Sequence, residues 1–420
     1  MSSRVDVIIV GAGAAGLSAA KSARSRGLSF VLLEASSRIG GRAFTRDFSP
    51  GQPFDLGCHW MHSASLNPFV GIAQRLGFRY RRKRGWDGTI HHHGAFLDDD
   101  RMREVDALVE ADERAIAAAA RNGDPAVADV VNRDSPWAPY HAYWLSLDWS
   151  RDPDRVGVAD VVAYRETDED WPVVDGFGAL VAAWAADVPV TLDTPVRRVV
   201  VTRDGVDVDT PLGTVSGRTA LVTVSTNVLA SGRIAFEPAL PSWKTAAAAA
   251  LPLGVHNKIA IGLDTASAAV PESQYLTVMT RDRGVPVALY VRPYGYDYVV
   301  ASTTGRFAAS LERCGEAASV EFLVEHFRAV FGSDATGCLT DRVIATAWQG
   351  DPWALGAYSA AGPGQAHQRA VLAHPVDDRL FFAGEATSTD AFCTCHGAYL
   401  SGQRAVDEIA GVLHGRGMVG

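Results

Sequence analysis

Along LPLGVHNKIAIGLD (251–264), Val255, Ile259, Ile261 and Leu263 occupy alternate positions on one side, the pattern of a half-buried strand. Lys258 falls on the opposite face with Ala260 and Gly262, which are too small to fill the space beside them, so this face borders a vacancy. The chain opens differently. Val7 to Val10 is an unbroken apolar run, an Ala-rich stretch follows to about Arg26, Gly27 breaks it, and Phe30 to Leu33 form a second run. That order predicts strand, helix and strand of a parallel unit. Apolar segments at 220–225, 275–279, 287–293 and 298–303 predict further strands, the last three joining the lysine strand in an antiparallel sheet. Between them, 86–98 predicts a hairpin, 101–122 a helix, 174–185 a glycine turn and helix, and 188–210 a small β element. A helix is predicted over 316–332. The tail 380–413 predicts a strand, a loop and a long helix. Its flank of Gly397, Ala398, Ser401, Gly402 and Ala405 suits close packing on a cofactor or another helix.

Length and charge narrow the picture. At 420 residues the chain exceeds one ordinary core, so two domains are expected. A net charge of −9 with one short basic run, RRKR (81–84), argues against nucleic acid as a partner. That run is expected to be a solvated loop. A strand beginning by Val5 leaves no room for a signal peptide, and no segment reads as a membrane span. Five scattered cysteines fit a reducing compartment. A soluble, cytoplasmic protein is expected.

The first chemistry lies in RVDVIIVGAGAAGLSAAKSARSRGLSFVLLEA (4–35). Gly11, Gly13 and Gly16 have the G-x-G-x-x-G spacing directly after a strand, and Glu34 closes the next strand. Glycines there let the backbone, with Ala14 and Ala15, approach a pyrophosphate at a helix N-terminus, and the acid takes ribose hydroxyls. An acid at that position favours FAD or NAD over NADP. Gly40-Gly41-Arg42 after Ala35 adds a second glycine turn with a cation, similar to the extended flavin fingerprint, so FAD is expected.

Several later segments carry a family resemblance. GCHWMHSASLNP (57–68), ATAWQGDPWALGAYS (345–359) and AGEATSTDAFCTCHGAYLSG (383–402) resemble, in order, three motifs of the flavin-containing amine oxidases. That family includes monoamine oxidases, polyamine oxidases and lysine-specific histone demethylases. The likeness is strongest at 5–68 and 342–413 and thinnest at 86–170. It implies an α/β fold with a Rossmann-like FAD-binding domain of the glutathione-reductase type and a second α+β substrate domain carrying a mixed or antiparallel sheet. The FAD-binding domain is expected over 1–75, 174–250 and 342–420, and the substrate domain over 76–173 and 251–341.

Residue by residue, the resemblance makes Lys258 the lysine that holds a water against flavin N5. Tyr358 becomes one wall of an aromatic cage, and Thr394 stands where monoamine oxidases carry the second tyrosine. Ala357 falls where those enzymes carry the flavin-bonding cysteine, so FAD is expected to be noncovalent. His62 faces substrate, and Trp60 lies beside it, more a structural residue than a contact. Gly57, His59, Trp60, Val196, Trp348, Trp353, Gly384, Glu385, Thr394 and Cys395 join the cofactor set. Trp353 is expected to border the isoalloxazine, Glu385 the ribose or pyrophosphate, and the helix after Thr394 and Cys395 the flavin's N1–C2=O edge.

The implied reaction is hydride transfer from the α-carbon of a small amine or polyamine to flavin N5, imine hydrolysis, and reoxidation by O₂ to H₂O₂. Two alternatives stay open: a flavin desaturase or isomerase acting on C–C bonds, and a flavin-binding module without turnover. An L-amino-acid oxidase fits less well, because 57–62 lacks an arginine, and histone demethylation less still, because no helical tower is present. Plainer readings stand beside the site residues. From composition alone Lys258 is a surface lysine on an edge strand, Tyr358 core, and His62 a buried, hydrogen-bonded histidine. His91-His92-His93 is expected on a hairpin surface rather than at a metal, since neighbours on a strand face opposite ways. No metal site is expected. Cys393 and Cys395 are read as packing residues. The sequence leaves the oligomeric state open, with a homodimer one arrangement.

Overall fold

A computed structural model describes residues 4–85, 88–266, 270–280 and 284–416. The first two residues of the expected hairpin, Trp86 and Asp87, and both ends of the chain lie outside them. Val5–Val10 lies between Phe30–Leu33 and the second half of Gly213–Val222, parallel to both. Leu380–Phe382 adds a parallel strand on the far side of Gly213–Val222. The first half of that long strand pairs antiparallel with Gly205–Thr210, which continues to Arg198–Thr202 and Ala235–Glu237. Val7 to Val10, Phe30–Leu33 and Leu380–Phe382 are apolar, as expected of a covered parallel sheet. Helix Ala14–Ser25 packs on the last helix, Cys395–Arg416, so tightly that a Cβ on Gly402 would stand 2.2 Å from the Ala15 carbonyl oxygen. The small-residue flank thus serves a helix at Gly402 and faces a cavity at Ala398.

The second sheet runs Leu339–Ala345, His256–Leu263, Tyr298–Thr304, Val287–Val291, Gln274–Met279, Thr89–His92 and Ala95–Phe96. Its pairings are antiparallel except between Gln274–Met279 and Thr89–His92, so the sheet is mixed. Ile259, Ile261 and Leu263 pack under helix Glu316–Phe331, as their alternation predicts. The opposite face corrects the expected vacancy. Phe48 and Phe54, from the hairpin Thr45–Ser49 and Gln52–Asp55, fill the space over Ala260 with Tyr298, and Phe48 reaches Gly262. The small residues make room for this hairpin, and of the three only Lys258 reaches the cavity.

One surface expectation also changes. His91 is buried against Phe96, while His92 stacks on His93 and meets Trp137 edge-on. The basic run 81–84 is the exposed loop expected, with Arg81 and Arg82 lying over the rings of Tyr294 and Trp171 and Lys83 over those of Trp60 and Tyr275.

Candidate active site

One cavity of about 1210 Å³ runs from the glycine turns of the first sheet to the substrate-side helices. Its nucleotide end is built by backbone. A Cβ on Gly16 would lie 1.9 Å from the Gly11 carbonyl oxygen, whereas one on Gly13 would meet nothing within 4 Å. Gly16 therefore tightens the turn and does not line the cavity, correcting its place in the cofactor set. Gly11, Gly13, Ala14, Ala15, Glu34 and Ala35 do line it. Glu34 accepts from the Ala12 N–H at 2.7 Å and from Ser36 at 2.8 Å, and a carboxylate so fixed keeps acceptor capacity for a ribose hydroxyl. The second turn docks on the first: Gly40 N–H donates to Ala12 O, and Gly41, at φ 57°, brings its backbone against Gly13. Val196 and Trp353 border the cavity too, the latter 44 % exposed.

Arg42 connects this cradle to the last motif. It donates to Ala357 O and lies 3.1 Å from Glu385 Oε1. Glu385 also accepts from Ser359 Oγ at 2.7 Å and Cys393 N–H at 3.0 Å. Burial raises its pKa, but Arg42, Arg369 and the hydrogen bonds from Ser359 and Cys393 together hold it below the usual range. Arg369 is itself fully buried on Asp160, at 2.7 and 2.8 Å.

The turn 55–59 lies at the middle of the cavity. A Cβ on Gly57 would sit 1.8 Å from the Arg42 carbonyl oxygen, so only glycine permits this approach. Trp348 Nε1 donates to Leu56 O at 3.1 Å. Lys258 Nζ donates to Asp55 O at 2.9 Å and Gly57 O at 2.7 Å. Burial lowers the lysine's pKa, while Asp55 and Cys58 oppose the shift. Asp55 is buried, accepting from Thr45, from the N–H groups of Phe177 and Gly178, and from His59 Nδ1. His59 Nε2 meets the Tyr294 hydroxyl at 2.7 Å, so both ring nitrogens of this residue are engaged within the protein.

Tyr358 lines the same cavity. Its hydroxyl donates to Leu147 O and lies 2.9 Å from His256 Nδ1, so the imidazole is the donor there. Burial, then Lys258, push His256 down to about 3, so the ring is neutral. Thr394 heads the last helix, its Oγ1 accepting from Gly397 N–H at 3.0 Å and donating to Ala391 O. That hydroxyl is committed to the helix cap. His62 lines the cavity and pairs with Asp170 at 3.0 Å; burial opposes its charge, but Asp170 lifts it to about 9. Trp60 borders the cavity from a short pairing with Pro172.

Cys395 packs in a core cluster and Cys393 against another, as expected. Cys393 Sγ contacts Ser359 O, and the thiol partner of Cys395 is Cys58. Sequence reasoning also passed over Asp55, His256 and Asp148. The signal for Asp148 was present: it is the one acidic residue in helix Ala138–Trp149, APYHAYWLSLDW.

The open Gly13 backbone, the N-terminus of helix Ala14–Ser25, Glu34 and Arg42 fit FAD. These features define a two-domain flavoprotein whose dinucleotide cradle and Lys258 share one cavity. The comparisons are specific. The profile of the flavin-containing amine oxidoreductases matches residues 157–410, and that of an NAD(P)-binding Rossmann-like domain residues 9–95. Polyamine oxidase 4 of Oryza sativa subsp. japonica is 30 % identical, covering 96 % of this chain and 88 % of its own. Lysine-specific histone demethylase 1 homolog 1 of the same plant is also 30 % identical, but only 52 % of it is spanned. Cyclohexylamine oxidase from Brevibacterium oxydans IH-35A shares the fold, with a TM-score of 0.78, 23 % identity, 98 % of this chain covered and 100 % of that one. The chain belongs to the flavin-containing amine oxidoreductase family. It is an oxidoreductase acting on amine donors, and its cofactor is FAD. Among the described residues no helix is long and apolar enough to cross a membrane.

Proposed function

We propose that this oxidoreductase removes a hydride from the carbon next to nitrogen in a small primary or secondary amine or polyamine, and that O₂ is the final acceptor. When bound, FAD supplies the two-electron acceptor. The observation that carries the reading is Lys258 Nζ, fixed by two carbonyls within the cavity that Tyr358 also lines.

Lys258 has two donor positions taken and one left for a water, which it holds for imine hydrolysis. Tyr358 and the wall at Thr394 confine the reacting nitrogen between surfaces of low polarity, favouring the uncharged amine that can release hydride. His62 and Trp60 meet the rest of the substrate. The N-terminal end of helix Cys395–Arg416 would favour negative charge on the cofactor when it is bound. FAD is held noncovalently, since Ala357 offers no nucleophile. The overall balance is amine, O₂ and water giving carbonyl compound, ammonia or a smaller amine, and H₂O₂.

The test is a product balance in air over polyamines, arylalkylamines and alkylamines. One H₂O₂ and one carbonyl per O₂ consumed support the reading. Oxidation of a C–C substrate with no amine turned over would replace it with a desaturase.

A further inference from the structure

Asp148 is out of place on structural grounds. It sits in the last turn of helix Ala138–Trp149, where the carbonyl end of the helix disfavours an anion and no basic residue offsets it. Several other carboxylates have partners: Asp112 pairs with His141, Asp160 with Arg369, Asp170 with His62 and Glu385 with Arg42. Among the described residues Asp148 has neither a hydrogen bond nor an ion pair. Its side chain is exposed and lines the cavity. A carboxylate that opens into the cavity and has no partner in the protein is free to take a cation that arrives from outside.

The surroundings say what that partner is. The preceding peptide carbonyl, Leu147 O, accepts the Tyr358 hydroxyl, which ties Asp148 to the cage wall. Tyr140, Trp144, Tyr164 and Tyr275 line the same cavity, and aromatic faces favour organic cations. His62, Asp170, Glu166 and Glu113 are the charged groups whose fields reach the carboxylate. His62 is already paired with Asp170, and Glu166 accepts from the N–H groups of its own loop. Asp148 is left for a ligand.

We infer that Asp148 is a specificity-determining residue, the counter-ion for a second ammonium that the substrate carries away from the carbon being oxidised. This rests on the amine-oxidase reading and deepens it. The cavity then selects amines with two cationic centres over amines of equal length with an apolar end.

The experiment compares a terminal diamine with the n-alkylamine of the same chain length, on the FAD-loaded wild type and Asp148→Asn. Initial rates give kcat and KM, and calorimetry gives diamine affinity without turnover. The wild type should favour the diamine, and Asp148→Asn should raise its KM and weaken its binding about 10- to 100-fold, with a smaller change in kcat. Because the carboxylate has no partner to lose, Asp148→Asn should melt no lower than wild type at pH 8. Unchanged diamine affinity, or a lower Tm, overturns the proposal. If neither amine is oxidised, the amine-oxidase reading fails, and calorimetry still decides whether Asp148 binds the diammonium.

Discussion

Lys258 Nζ lies 2.7 Å from the carbonyl oxygen of Gly57, residues 201 positions apart in sequence, and that contact ties the second sheet to the turn 55–59 beside the cavity. It depends on a glycine, because the Gly57 Cα presses against the Arg42 carbonyl. Replacing Gly57 by alanine should displace the turn, release Lys258 and loosen Arg42 from Glu385. The expected outcome is a protein with reduced FAD content and little amine oxidation, read from the flavin-to-protein absorbance ratio and the initial rate. Full FAD loading with normal rates would show that the turn tolerates a Cβ.

Removing the lysine amine while keeping its stem isolates its chemistry. Lys258→Met should retain FAD and lose about 100-fold or more in kcat, the order attributed to a positioned acid–base group. Steady-state kinetics on the FAD-loaded variant checks this. A variant within a few-fold of wild type would reduce Lys258 to a structural contact.

Tyr358→Phe keeps the aromatic wall and removes the hydroxyl that joins Leu147 O to His256. Two buried polar groups lose their partner, at a cost of about 1–3 kcal/mol each at most. The Tm should fall measurably while amine oxidation survives. An unchanged Tm would mean that the hydroxyl contributes nothing to the wall.

The His62–Asp170 pair sets a pH window. His62 is raised in the folded state from 6.5 to about 9, so its contribution is complete below about pH 6.5 and is lost as pH rises through 9. Asp170 is lowered from 3.8, so its share is present above about pH 4 and disappears below it. The Tm difference between wild type and His62→Gln should therefore be widest between about pH 4 and 6.5 and close above pH 9. A difference that grows above pH 9 would contradict the pairing. Thermal melts across that range measure it.

Much of this was readable from residues in order. Gly11, Gly13 and Glu34 declare the nucleotide end because spacing within a βαβ unit is local, and Lys258 was marked by its place in an apolar alternation. Gly16 shows the limit of motif reading: its spacing is right, yet its work is packing against Gly11. Ala260 and Gly262 misled, because small residues mark a close approach without naming what approaches. Here it is the aromatic side of a hairpin from 200 residues earlier. Asp55, His256 and the Cys58–Cys395 thiol pair were illegible for the same reason, since each acquires its role from a partner distant in sequence. Asp148 was visible as a lone acid in an aromatic helix, but only the fold shows that nothing pairs with it.

The most direct test of the central claim is anaerobic mixing of the FAD-loaded protein with a panel of polyamines and arylalkylamines, followed by the visible flavin absorbance. The account predicts that an amine bleaches the flavin, that α-deuteration slows the bleaching, and that Lys258→Met or changes at Tyr358 alter it. A flavin that stays oxidised with every amine, but is reduced by a C–C substrate, would contradict it.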